Sequence, residues 1–294
     1  MASLKVDQAE GLRQLLAGSG SLRVIAVASA TAGAGKTSIV SNLATTFAAT
    51  GREVLILDAV RGAPMAGTFG VAPRYDLQDV IERRHAVEQA LVPCSQGVRL
   101  LPIATGLRSL SALSTAEQTR IVEGFQYLAC PVDVVLIDTP SDAEDALLCA
   151  GLAADETLLV VSRTTASITA NYGLMKTLRT QYAVRRFRVL LNKVGSAAEA
   201  RAIYGNMAQA ARQYLATTLD YAGYIPRDDK LHRAAVLGLP LIDAFPSSPA
   251  AGTIRELAEL LLRRQPARGA EGIEHFVHRL IRSSRVNTAG AVAA

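Results

Sequence analysis

The sequence lacks the features that mark secreted, membrane-spanning and metal-stapled chains. Its first residues, MASLKVDQAEGLRQL, contain no long apolar stretch of the secretory kind. No segment approaches the ~20 consecutive apolar residues that span a bilayer. Cysteine is scarce: Cys94, Cys130 and Cys149 are far apart and match no metal-ligand spacing. Each stands among apolar neighbours, which predicts buried, reduced thiols. Charge of one sign is also in short supply. Lys and Arg total 31 against 26 Asp and Glu, a formal net charge of +5. That bias permits contact with nucleic acid or an anionic membrane and argues for neither. Together these absences predict a chain made and kept in the cytosol.

What is present is a large apolar fraction. Half of the 294 residues are hydrophobic, enough for one large domain with a buried core and too little chain for two. Three zones are distinguishable. Residues 1–21 form a short arm ending in a Gly/Ser run. Residues 22–263 alternate apolar β-rich runs with helical patterns. Residues 264–294 open with a Pro/Gly linker, carry an amphipathic segment over 272–285, and end in a small-residue tail expected to be disordered.

In the middle zone, strands are expected at Val24–Ala28, Val54–Asp58, Arg99–Pro102, Val132–Asp138, Thr157–Ser162, Arg188–Asn192 and Tyr221–Ile225. Runs such as VDVVLID and ETLLVV are continuously aliphatic, as in strands covered on both faces. Helical patterns fall between them, at Lys36–Thr50, Ala112–Tyr127, Ser167–Tyr182 and Glu199–Leu215. The alternation predicts an α/β fold with a doubly wound, mostly parallel sheet and helices on both faces.

The segment RVIAVASATAGAGKTSIVSNLATTFA reads as strand, Gly/Ala loop and helix. A loop of small residues lets successive backbone amides curl around phosphate. Gly33, Ala34, Gly35, Lys36, Thr37 and Ser38 are therefore the expected nucleotide-binding residues, with Lys36 on the β/γ oxygens and Thr37 offering a hydroxyl to Mg²⁺. The first Gly of the P-loop pattern is Ala30, but the flanking strand and helix are both there. Two strands end in a carboxylate, Asp58 and Asp138. Either alone fits a strand-end or capping residue; beside a P-loop, Thr37, Asp58 and Asp138 form a candidate metal set. Asp58 and Asp138 are also candidate catalytic groups, with no role assigned.

The order of these motifs resembles the MinD/ParA group of P-loop ATPases, and within it the flagellar-number regulators of the FlhG/FleN (YlxH) type. The match includes Asp7-Gln8-Ala9-Glu10-Gly11-Leu12-Arg13, the P-loop, Pro73–Val80, Val98–Pro102, Ser167-Ile168-Thr169 with Tyr172, Asn192-Lys193-Val194, Gly223-Tyr224-Ile225-Pro226 and Pro246–Ala250. The resemblance implies an ATP/ADP- and Mg²⁺-binding protein that pairs face to face as a homodimer. It implies an arm, with Asp7, Gln8, Leu12 and Arg13 as contacts, that meets the signal-recognition-type flagellar GTPase FlhF, and further contact with flagellar basal-body components. It implies adenine contact at Asn192 and a base-covering loop at Pro226. Taken alone, an Asn at a strand end reads as a turn residue.

Departures from the family pattern bear on chemistry. The lysine that reaches across the dimer in KGGxGK[ST] is Thr31 here, and the next Gly is Ala32; a short neutral hydroxyl cannot replace a long cation. The second carboxylate after Asp58 is Val60. Water-positioning groups are worth about 10²–10⁴-fold in rate. After Asp138 the usual Gly turn is Pro140-Ser141-Asp142. Weak or absent hydrolysis with retained binding is therefore expected, Asp142 or Glu144 being the only nearby replacement bases.

In the segment 272–285, Ile273, Phe276, Val277, Leu280 and Ile281 form one helical stripe opposite Glu274, His275, His278, Arg279 and Arg282. The pattern fits packing back on the domain. The resemblance instead favours an anionic inner-membrane surface, with peripheral attachment to its cytoplasmic side. A helix docked in one state and released in another joins the two. The arm over Asp7–Leu16 fits a marginal helix, with Gly11 costing about 1 kcal/mol against Ala, or a frayed terminus. Two other functions remain open: an active ParA-type partitioning ATPase, and a nucleotide-binding adaptor for pilus or secretion assembly. The scattered arginines (Arg185, Arg186, Arg188, Arg201, Arg212) do not point to nucleic acid.

Overall fold

The computed structural model describes residues 22–182, 184, 186–263 and 272–290. The expected arm at 1–21, with Asp7, Gln8, Leu12 and Arg13, lies outside them, as do the linker at 264–271 and the last residues, 291–294.

Eight strands form one sheet: β1 Arg23–Ala28, β2 Val54–Asp58, β3 Val92–Ser95, β4 Val98–Pro102, β5 Val134–Asp138, β6 Glu156–Ser162, β7 Phe187–Val194 and β8 Leu219–Pro226. Their order is β3-β4-β2-β5-β1-β6-β7-β8. All pairs are parallel except β3 with β4. β3 was not expected from the sequence. It is four residues long with Pro93 inside, and Pro is tolerated only on an edge, which is where β3 lies.

The longer helices are α1 Lys36–Ala48, α2 Thr115–Gln126, α3 Glu144–Ala153, α4 Thr165–Tyr182, α5 Ala197–Leu215, α6 Pro249–Arg263 and α7 Ile273–Gly290. They cover both faces of the sheet, and the period-2 alternation of β1 shows how. Ile25 and Val27 point into a cluster with α1 and α6, containing Leu43, Phe47, Ile254 and Leu257. Val24 and Ala26 point the other way, toward α2, α3 and α7. A third cluster packs α4 and α5 on β6 and β7. Strands buried on both faces explain the continuous aliphatic runs.

Two sequence expectations change here. Cys149 is buried, but Cys94 is half-buried and Cys130 is exposed, so an apolar neighbourhood in sequence did not mean burial in space. The second concerns α7, for which the pattern fits the core and the resemblance favours a membrane. Its stripe is not presented to solvent or lipid: Phe276, Val277, Leu280 and Ile281 are buried in the β1–β2–β5 core, with Ile273 packed at its margin. Polar contacts seat the helix as well. Arg279 Nε donates to Ala153 O at 3.0 Å, and its Nη2 meets Asp155 Oδ1 at 3.3 Å. Asp155 Oδ2 in turn accepts from the Val24 amide at 2.9 Å. The Cys149 thiol reaches Leu280 O at 3.5 Å, and Arg285 Nη2 donates to Leu113 O at 2.7 Å. An apolar stripe of this spacing suits a protein core and a lipid surface equally, and here the core takes it.

Phe276→Ala should therefore destabilise the fold by about 3–5 kcal/mol, as expected for emptying a packed aromatic site, read as a lower denaturant midpoint. In flotation with anionic liposomes, the nucleotide-free chain should stay with the soluble fraction.

Candidate nucleotide site

β1 lies between β5 and β6, neither of them its neighbour in sequence. Ligands of open α/β sheets bind beyond the C-terminal strand ends at such a reversal, and the loop from β1 into α1 occupies this place. Gly33 (φ 68°) and Gly35 (φ 95°) carry it through left-handed backbone conformations. A Cβ at Gly35 would also run into the Asn192 carboxamide, so glycine is required there twice over. Gly35 is the N-cap of α1 and supplies no side-chain cap. The first-turn amides and the positive end of the helix are thus left for an anion.

Behind the loop, Thr37 Oγ1 donates to Asp138 Oδ2 at 2.6 Å. Asp138 is fully buried, and its other oxygen, Oδ1, has no hydrogen-bond partner among the described residues. Burial pushes the Asp138 pKa up to about 7; neighbouring Asp58 adds to the rise, while the Thr37 bond and Lys36 oppose it. An orphaned oxygen on a buried carboxylate, next to a threonine hydroxyl, is a hard-oxygen donor set of the kind Mg²⁺ takes. Thr37 and Asp138 fit such an ion. Asp58 faces Asp138 in strand register, but its oxygens accept from the Val60 amide at 2.9 Å and the Met65 amide at 3.3 Å. It anchors the loop after β2 and makes no hydrogen bond to Thr37. Burial likewise raises the Asp58 pKa, to about 6, against those two amides.

A cavity of about 790 Å³ opens in front of the loop, within the range of cofactor sites. Gly33, Ala34, Gly35, Ser38, Asn192 and Pro226 all line it. Lys36 and Thr37, between Gly35 and Ser38 in the chain, are not among its lining residues. Lys36 is buried, which lowers its pKa, with Asp138 and Asp142 opposing. Asn192 is more constrained than a free base-reading side chain: its Nδ2 donates to Ala34 O at 2.7 Å and its Oδ1 accepts from the Lys193 amide at 2.9 Å. It braces the loop and keeps one N–H for a ligand. Beside it, Lys193 adopts a left-handed φ of 61° and its Nζ donates to Gly33 O at 2.7 Å. Neither brace was legible in the sequence, since both cross about 160 positions; only the Asn-Lys pair at a strand end marked the place.

Thr31 is tied to neighbouring hydroxyls of its own chain. Thr31 Oγ1 pairs with Ser29 Oγ at 3.2 Å and Ser167 Oγ at 3.1 Å. Asn171, fully buried on α4, completes the cluster through the Ala30 amide and the Ser167 carbonyl. Val60 lines a different cavity, with Arg61, Thr105 and Arg108, and offers no acceptor. Asp142, on the loop entering α3, and Glu144, its first residue, are both exposed.

The CobQ/CobB/MinD/ParA nucleotide-binding domain family matches residues 25–241. The chain belongs to this family. Among its relatives, the antiactivator FleN of Pseudomonas aeruginosa is 33% identical over 270 residues, 91% of this chain and 96% of that protein. The flagellum site-determining protein YlxH of Helicobacter pylori is 24% identical over 90% of this chain and 91% of its own length. The MinD cell division protein of Aquifex aeolicus superposes with a TM-score of 0.65 at 25% identity, covering 83% of this chain and 98% of that one. This member of the MinD/ParA family has the P-loop NTPase fold.

The raised Asp138 pKa has a definite sign. The folded state holds its proton more tightly than the unfolded chain, so this group's contribution to stability is present below pH about 4 and is lost as pH rises through about 7. In metal-free buffer, Asp138→Asn should melt above the wild type at pH 8, and the gap should close toward pH 4.

Proposed function

We propose that the chain is a nucleotide-binding regulator of flagellar number and placement that binds ATP with Mg²⁺ and hydrolyses it slowly. The observation that carries this reading is a cradle complete for binding and incomplete for cutting. Thr37 is bonded to Asp138 with Lys36 nearby, whereas Val60, two residues after Asp58, offers no group to orient a water. The flagellar assignment is supported by likeness to FleN and to YlxH over nine-tenths of the chain. Bound Mg²⁺ would supply charge neutralisation at the phosphates; Thr37 and Asp138 would hold it, directly or through water. Lys36 would neutralise the phosphate oxygens, and the α1 amides would orient them.

The arm residues Asp7, Gln8, Leu12 and Arg13 would contact the GTPase FlhF, and basal-body components would be further partners. The chain would work in the cytoplasm. Contact with an anionic membrane through Ile273, Phe276, Val277, Leu280 and Ile281 would require α7 to leave its seat, so constitutive anchoring is not part of the reading. Homodimers across the nucleotide face would form without a cation from position 31. That absence is also why the reading is not a ParA-type motor.

Steady-state hydrolysis by the purified chain should lie at least about 100-fold below active family members, in line with loss of a water-positioning group. Val60→Asp should raise it, and Lys36→Ala should abolish nucleotide binding. Turnover at the level of active members, lost on Lys36→Ala, would contradict slow hydrolysis.

A further inference from the structure

The lysine of the cradle is not waiting in open space. Lys36 Nζ donates to the hydroxyl of Ser141, on the loop after β5. Ser141 in turn donates to the main-chain oxygen of Thr31 at 3.1 Å. Lys36 is only 7% exposed, so little water competes for its protons. Thr31, which holds Ser141, is itself fixed by its amide on Ser29 Oγ at 3.3 Å and by its hydroxyl on Ser29 and Ser167. The adjacent Ala30 amide is bound by Asn171 Oδ1 at 3.0 Å. Ser141 is therefore held on a carbonyl anchored to Ser29, the residue after β1, and to α4.

We propose that Ser141 is a positioning residue that parks Lys36 on the loop after β5, so that a nucleoside di- or triphosphate must take the ammonium from this hydroxyl as it binds. The proposal rests on the nucleotide reading above and deepens it. A lysine ammonium is a point charge on a flexible stem and can change partners without moving its backbone. The hydrogen bond it gives up is charge-assisted, the stronger kind, and its loss is subtracted from the phosphate bonds gained. Parking thus weakens every ligand whose β-phosphate Lys36 must reach. It leaves untouched a ligand that ends at the α-phosphate. This dependence on the β-phosphate separates parking from a general stiffening of the loop.

The test is calorimetric titration of Mg-ADP and Mg-ATP into the full chain, into Ser141→Ala and into Ser141→Thr, with AMP affinity read by displacement. Ser141→Ala should tighten ADP and ATP by about tenfold, about 1.4 kcal/mol, and leave AMP unchanged. Ser141→Thr keeps the hydroxyl and should bind as the wild type does. Melting curves on both variants report whether the fold is retained. Equal or weaker ADP binding by Ser141→Ala, or an equal gain for AMP, would overturn the parking role while leaving nucleotide binding intact. If the wild-type chain takes up neither ADP nor ATP at millimolar concentration, the nucleotide reading itself falls and Ser141 has nothing to gate.

Discussion

Asp138 ends a strand covered on both faces, and its carboxylate is sealed from solvent. A charge in such a place is costly unless donors answer it. The P-loop answers it with a hydrogen bond from the Thr37 hydroxyl and the charge of the nearby Lys36 ammonium. Several features of the architecture meet this need. β1 and β5 run parallel with Val27 opposite Asp138, so the loop leaving one strand meets the end of the other. α1 starts at an uncapped glycine, which keeps its first turn open on the side where Thr37 and Lys36 emerge. The carboxylate is left with one unanswered oxygen, as a site built around a cation would be.

Under the function proposed above, the chain departs around this centre from an energy-cycling ATPase in a consistent direction. At position 31 a cation that would act on a partner is replaced by a hydroxyl used within the same chain, binding Ser29 and Ser167. At position 60 an apolar side chain stands where a water would be oriented. The loop after β5 brings a serine that engages both Lys36 and the P-loop backbone. The hydroxyls of Thr31 and Ser141 are spent on holding the cradle in one shape. None of the three changes adds a group that could activate water. A protein read by its occupancy can work this way, because partner binding needs a defined shape more than a fast chemical step.

The sequence made the parallel sheet, the P-loop and its two strand-end carboxylates legible because each is a local pattern: aliphatic runs, small residues before Lys36-Thr37, and VLILD and VVLID. β3 escaped because four residues with Pro93 carry too little periodicity. Asp58 was readable as a carboxylate at the right edge, but not as one held by the amides of Val60 and Met65. The stripe of α7 was visible residue by residue, yet its destination was not. Periodicity reports that a face is apolar and is silent on whether core or lipid covers it; Arg279 on Asp155, 124 positions away, decides for the core. The Lys36–Ser141 contact spans 105 positions and joins two residue types that occur everywhere.

The central claim is that the cradle grips a triphosphate and is poorly equipped to cut it. A single-turnover experiment meets it most directly: excess protein is mixed with Mg²⁺ and γ-labelled ATP, and the protein-bound fraction is quenched and separated over time. The account predicts that label is retained by the protein and remains overwhelmingly as intact ATP for many minutes. Rapid conversion of the bound pool to ADP and phosphate, or no label retained at all, would contradict it.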